Sequence, residues 1–404
     1  MIEHTNNWRH TSSFDALELI KKHHLRFGLT RIANITNLDC IGIPIHIGLR
    51  ARGKTLCVSA GKGLSHIDSI VSAGMESIEI DVAEQGINCD YFNSCYNDLP
   101  GDQLISFESI PSYIYSCFTR QSLVTWMQPV GIHSGRKFCY PASLVSLDKT
   151  FILEPLNTFP WSSNGLASGL THEDATLSGL YEVIERDAWS CWEYVHRTRS
   201  VPFSSIITET IDFASTNQLI RKIRDASFDI IINPLMTDLG LPVYRCLLLN
   251  SSDQAGAISL GFGCHHSSEV ALNRAITEAA QARAVYISGA RDDIVLNSIM
   301  KSENFSINNF KKLFIPSVFE DSECSIPSNQ SPIENILERV SQLGMHEPLV
   351  YTFKNSEPFS VVRILSPSMA PSGGRKGLSL SKHPRTTTFN PNLKGLSALF
   401  GDQA

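Results

Sequence analysis

The chain has 404 residues, 42% of them hydrophobic, enough for two or three packed subdomains around a sizeable core. Lys and Arg total 34 against 40 acidic residues, and the net charge of −6 excludes the dense basic surface of a nucleic-acid binder. The start, MIEHTNNWRH, lacks the apolar core of a secretory signal, and no run reaches the roughly 18 apolar residues of a membrane span. A soluble cytoplasmic protein is expected.

In chain order, the apolar spacing predicts a helix from Phe14 to about Phe27. RIANITNLDCIGIPIHIGLR reads as β-structure broken by Asn, Gly and Pro, and TLCVSAG as a further strand. A helix follows, then a polar loop from about Gly86 to Gly101, and residues 102–160 read mainly as strands. After a second helix, FDIIINPLM, PVYRCLLL and AISLGFG predict three strands, and SSEVALNRAITEAAQARAVYISG a third long helix. Residues 301–335 resemble a helix-and-loop insertion, PFSVVRILSP a late strand, and the tail from Pro371 an irregular segment. The expected architecture is α/β, in mixed α+β layers with internal pseudo-symmetric halves. The ten cysteines contain no CxxC pair and read as reduced core thiols, not as disulfides or a zinc site.

The first two long helices are near copies. GLSHIDSIVSAGMESIEID, Gly63 to Asp81, and GLTHEDATLSGLYEVIERD, Gly169 to Asp187, share S-x-x-x-E-x-I-E-x-D at a constant offset of 106 positions (169 minus 63). Ser65 and Thr171 each precede an Asp by three, a capping-box pattern. At 100° per residue, Val71, Gly74, Met75, Ile78 and Val82 share an apolar face, and Ser72, Glu76 and Glu79 a polar one. In the second copy Leu180, Val183 and Ile184 point inward and Ser178, Glu182 and Glu185 group together. Carboxylates at i and i+3 repel by about 0.2–0.5 kcal/mol on an exposed helix, a penalty that a divalent cation removes. NRAITEAAQARA extends the pattern, with Glu278, Gln281 and Arg283 at the positions of Glu76, Glu79 and Asp81. Arg186, Arg274 and Arg283 add cations able to meet phosphate oxygens. A solvated helix face would explain one such copy; three together point to a site for a polyphosphate and its metals.

Other motifs carry less. Gly48 to Thr55 matches a Walker A pattern, but TLCVSAG follows where a phosphate-binding helix is required, so the match reads as a hairpin turn. Glu193 and His196 make a single E-x-x-H where a di-iron bundle needs two. His66 and His172 fall in first helical turns and read as surface or capping residues. Ser168 and Ser178 have no His–Asp partners nearby in sequence.

SAGMESIE, SNGLASGLTHEDATLSGLYEVIERDA and EAAQAR, in that order, resemble the three hallmark motifs of the YcaO superfamily. The likeness runs from about Arg9 to Arg363, so residues 1–400 read as one YcaO domain. Within it lie an N-terminal half (1–115), a second half (116–300), an insertion with a late strand (301–370) and the tail (371–404). The resemblance implies a YcaO-like fold with an ATP site between acidic helices, ATP and Mg2+ as cofactors, and activation of peptide-backbone amides. Carried over by motif, Glu76, Glu79, Glu182 and Glu185 would hold or shape the Mg2+ site, Arg186 and Arg283 would contact phosphates, and Glu278 and Gln281 would line the pocket. Ser72, Ser163, Asn164, Lys62 and Arg9 are further nucleotide-site candidates. No side chain is assigned as catalytic.

Two products are open: a thioamide, with sulfide as nucleophile, or an azoline, formed by a Cys, Ser or Thr of a ribosomally made precursor peptide in a bacteriocin-type pathway. The chain ends FNPNLKGLSALFGDQA, without the proline-rich tail common in azoline formers. Its N-terminal pattern looks most like the stand-alone members that work with TfuA, which favours the thioamide. No leader-peptide-binding segment is visible, so a separate TfuA-like or leader-binding partner is expected; a homodimer is the family's expectation. Leu170 and Ser178 stand where the pattern has Asn and His. A non-catalytic, peptide-binding scaffold is the competing class.

Overall fold

A computed structural model describes residues 12–85, 90–235, 237–250, 258–291, 307–371, 385 and 389. Helix α1 (Ser13–His23) passes through a 3-10 turn into strands β1 (Leu29–Asn34), β2 (Ile45–Arg50) and β3 (Val58–Lys62), then α2 (His66–Ala83). Strands β4 (Phe92–Cys95), β5 (Leu123–Met127), β6 (Val130–Gly131) and β7 (Tyr140–Pro141) precede one helical turn, α3 (Ala142–Val145). Next come β8 (Leu166–Gly169), the 28-residue α4 (His172–Arg199), β9 (Ser204–Ile206) and α5 (Ala214–Asp225). Strands β10 (Asp229–Pro234), β11 (Val243–Leu249) and β12 (Ile258–Cys264) lead to α6 (Ser268–Ser288). The chain continues through α7 (Ile307–Lys311), β13 (Ile315–Ser317), α8 (Pro332–Gln342), β14 (Leu349–Thr352) and β15 (Ser360–Leu365).

One unit recurs three times: a strand, a sharp turn, and a long helix folded back over the strand. It comprises β3–α2, β8–α4 and β12–α6. The antiparallel sheets β1-β2-β3 and β10-β11-β12 carry the first and third, and the sheet β6-β14-β15-β8 carries the second. Ser65 and Thr171 start their helices as expected, each accepting the N–H of the Asp three residues on. Close packing needs glycine on the strand. A Cβ on Gly61, Gly169 or Gly261 would collide with backbone of the following helix, at Ala73, Ala175 and Ala279 respectively. Helix α6 buries Ala271, Ala275 and Ala279 in a core shared with Ile45 and Ile47 of β2 and Tyr244, Cys246 and Leu248 of β11. Its small side chains let two sheets approach one helix. Each of these helices also packs on a strand of another unit, α2 on β8, α4 on β12 and α6 on β3.

The mixed α/β architecture is as expected, and the strand-rich 230–264 region forms a regular meander. Residues 102–160 differ: most of the span is irregular, with two 3-10 turns near its start, and the strands there are β5 to β7 alone. Aromatic packing organises that segment, with Tyr96, Phe107, Phe118 and Phe159 in successive ring contacts beside the fully buried Trp126. Helix α5 adds to the expected elements, and α8 begins inside the expected helix-and-loop span and runs on to Gln342. Nine described cysteines are free, but Cys40, Cys57 and Cys117 are exposed, so the thiols are not all core residues. The tail is not wholly loose, because Arg385 and Phe389 are buried against α4. Among the described residues no helix is long and apolar enough to cross a membrane.

Candidate active site

Each long helix ties a glutamate to the strand that leads into it. Glu76 accepts the Ala60 N–H of β3 at 3.2 Å, and Glu278 the Phe262 N–H of β12 at 3.4 Å. The backbone of Gly165, just before β8, favours the ionised form of Glu182. The remaining contacts join one unit to another. Glu79 of α2 accepts both the N–H and the hydroxyl of Ser168 in β8, at 2.9 and 2.7 Å. Gln281 of α6 donates to the Ala60 carbonyl at 2.5 Å, and Lys62, ending β3, reaches Glu278 at 2.5 Å. On α4, Arg186 lies 3.3 Å from Glu185 and 3.9 Å from Glu182. The acidic face of each repeated helix thus turns toward a strand of another unit, half-buried or, at Glu185, buried rather than solvated.

Carboxylates predominate in this enclosure, and their proton affinities follow. Burial pushes Glu79 up to about 8, with the Glu76 and Glu182 charges adding to the effect. Burial likewise raises Glu76 to about 7 against the pull of Lys62 and Arg291, and Glu185 to about 7 against that of Arg186. Glu182 is raised by burial despite Arg186 and Arg363. Glu278 alone of the five moves down: burial opposes its ionisation, but Lys62 and Arg186 prevail. The site has a deficit of positive charge.

The donor set fits the missing charge. All five acids offer hard carboxylate oxygens, the ligands that Mg2+ prefers. Among the described residues no three acidic, His or Cys side chains converge closely enough to cage an ion alone. That arrangement suits Mg2+, which keeps water and phosphate oxygens in its coordination shell and takes few protein ligands. Glu76, Glu79, Glu182 and Glu185 would hold it directly or through water, while Lys62 and Arg186 would face phosphate oxygens.

The remaining predicted residues divide. Ser72 lies half-buried on α2; Ser163 is exposed and Asn164 half-buried in the loop entering β8. Arg283 lies elsewhere. Two residues beyond Gln281, it is turned by roughly 200° on the helix; it donates to Asp39 at 3.0 Å and stacks over Phe228. Arg9 falls outside the described residues. Sequence reasoning missed Arg363, a buried cation in β15 that electrostatically faces Glu182. Its signal was an Arg inside the apolar strand VVRIL, where a charge is rarely buried without a role.

The Walker-like segment is a β2–β3 hairpin that cradles an internal carboxylate. Glu84 accepts the N–H groups of Lys54 and Thr55, at 3.0 and 2.8 Å, and both terminal nitrogens of Arg50, at 3.1 Å each. His172 is exposed and meets Thr352 at 3.0 Å, while Glu193 pairs with Arg197 at 2.6 Å. Those contacts are structural.

Fold and site together define an α/β protein whose acidic helix faces and flanking cations suit a metal and a phosphate-bearing ligand. The chain belongs to the YcaO family: residues 60–370 match the family model for YcaO cyclodehydratase, ATP- and Mg2+-binding. ATP and Mg2+ are accordingly its cofactors. Over 370 residues it is 29% identical to an uncharacterized protein in the tfuA 3′ region of Rhizobium leguminosarum bv. trifolii, covering 87% of this chain and 86% of that one. Its fold is similar to that of YcaO from Methanopyrus kandleri bound with AMPPCP and Mg2+, with a TM-score of 0.70, 20% identity, and coverage of 90% and 92%. It is also similar to a heterocyclase in complex with substrate and cofactor, with a TM-score of 0.73 and 18% identity. That match covers 96% of this chain and 57% of the heterocyclase.

Proposed function

We propose that this YcaO protein activates backbone amides of a ribosomally made peptide, and that with a TfuA-like partner it converts them to thioamides. The carrying observation is the buried and half-buried group of five glutamates with too few cations, on a site that offers no activated side-chain nucleophile among the described residues. Cys264 lies within electrostatic reach of Glu185, but it is 1% exposed and pushed well above its ordinary range by burial. It stays a thiol, so the nucleophile comes from outside. The relative from a tfuA 3′ region supports sulfide in that role.

Bound ATP supplies the phosphoryl group that turns the amide oxygen into a leaving group, with Mg2+ balancing its charge. Sulfide adds to the amide carbon, the oxygen takes the γ-phosphoryl, and the C–O bond breaks. The products are a C=S bond, ADP and phosphate. The chain's own residues orient and neutralise. Lys62 and Arg186 would offer N–H donors to phosphate oxygens, and the four glutamates would hold the metal directly or through water. Glu79 holds a proton near neutral pH until a cation takes its place.

Azoline formation is the second reading, favoured by the family model's description as a cyclodehydratase. Intact-mass measurement separates the two, using the candidate precursor peptide, this protein, ATP, Mg2+, sulfide and the TfuA-like partner. A gain of about 16 Da, sulfur for oxygen, is expected. A loss of about 18 Da, one water, would overturn the thioamide reading in favour of the azoline. Failure of the purified chain to bind ATP would support a peptide-binding scaffold instead.

A further inference from the structure

Arg363 is an incomplete ion. It is 4% exposed, and its Nε and Nη1 are buried with no hydrogen-bond partner. Its Nη2 donates to the Ser162 carbonyl at 2.8 Å. An arginine has five N–H donors in a planar fork, and burying them unmatched is costly unless a ligand completes the set.

The surroundings place this cation at the nucleotide site. The next residue of β15, Ile364, donates its N–H to the Gly165 carbonyl at 2.7 Å, and Gly165 lies where its backbone favours the ionised form of Glu182. The loop carrying Ser163 and Asn164 is thereby clamped between Arg363 and the glutamate. A second cation, Lys149, lies close behind on the Ser143 carbonyl. Burial and the Arg363 charge lower Lys149 to about 8 against the pull of Glu154, so two like charges share one interior region. Burial pulls Arg363 down to about 10, and its attraction to Glu182 does not offset this. Glu182 and Tyr140 draw on Arg363 electrostatically, but no group hydrogen-bonds its Nε or Nη1.

We propose that Arg363 is a phosphate-binding residue of the nucleotide site, its two unpartnered nitrogens completed by oxyanions of the nucleotide's phosphate chain. This rests on the ATP- and Mg2+-binding character of the family and adds a residue from outside its three motifs. It predicts an unusual pairing of effects. Removing the charge relieves the free protein of unmatched buried donors while stripping the bound state of charge-assisted hydrogen bonds.

The test is titration calorimetry of the full chain with AMPPCP and Mg2+, beside thermal melting of the free protein, for wild type, Arg363→Met and Arg363→Lys. Arg363→Met is expected to lose at least about tenfold in affinity while the free protein melts no lower than wild type. Arg363→Lys, keeping the charge but not the fork, should fall between. Repeating the titration with adenosine distinguishes phosphate from base: its affinity should not change. An AMPPCP affinity within about twofold of wild type in Arg363→Met overturns the proposal. So does an equal loss for adenosine and AMPPCP, the mark of a loop clamp with no phosphate contact. If wild type itself does not bind AMPPCP, the nucleotide reading fails, not this residue assignment alone.

Discussion

Arg385 grips Asp187 with Nε at 3.1 Å and Nη2 at 3.0 Å, and reaches Asp238 with Nη1 at 2.8 Å. Asp187 is fully buried and also accepts the Ala370 N–H at 2.8 Å. It stands directly after Arg186 on α4, so the C-terminal stretch is fastened one residue from the site. Phe389 completes the anchor against Trp192. Removing one partner of such a pair strands a buried charge. Arg385→Met should therefore destabilise the protein by about 3–5 kcal/mol in urea unfolding. The double variant Asp187→Asn/Arg385→Met should recover part of that loss. Equal stability of wild type and Arg385→Met would show that the tail is not anchored there.

The glutamate cluster makes stability depend on pH in an unusual direction. Glu76 and Glu185 titrate near 7 and Glu79 near 8, above an ordinary value of 4.5. Each binds its proton more tightly folded than unfolded, so its contribution is complete below the unfolded value and lost as pH rises through the folded one. The free protein should melt at progressively lower temperature from about pH 6 to pH 8. Mg2+ with AMPPCP should flatten that slope, because the cation replaces the protons. Glu182→Ala and Glu185→Ala should abolish ATP turnover without lowering the melting temperature of the free protein at the upper end of this range. A free protein whose melting temperature is flat across the window would mean the acids are not crowded as described.

The hairpin at Gly48 to Thr55 yields a paired prediction. Arg50 is 1% exposed and depends on Glu84 for most of its neutralisation. Glu84→Ala should cost about 3–5 kcal/mol of folding stability, read from denaturant midpoints. Lys54→Ala should leave ATP affinity within about twofold of wild type, since Lys54 points to Glu84 and Asp148. Loss of ATP binding in Lys54→Ala would restore the Walker reading.

What was legible in the sequence was local. Helix periodicity alone puts Glu76 with Glu79 and Glu182 with Glu185, because residues three apart share a face whatever the rest of the chain does. The capping residues, the β10–β12 meander and the rejected phosphate loop were legible for the same reason: each depends on neighbours within about ten residues. The order of three motifs carried the family. Tertiary structure decided which charges meet. Lys62 joins Glu278 across 216 positions and Arg363 lies on a strand that no motif marks, whereas Arg283, inside a motif, turns to Asp39. Those pairings are set by how closely glycine-bearing strands let three helices approach, and a proton affinity near 8 exists only once they have closed over the same space.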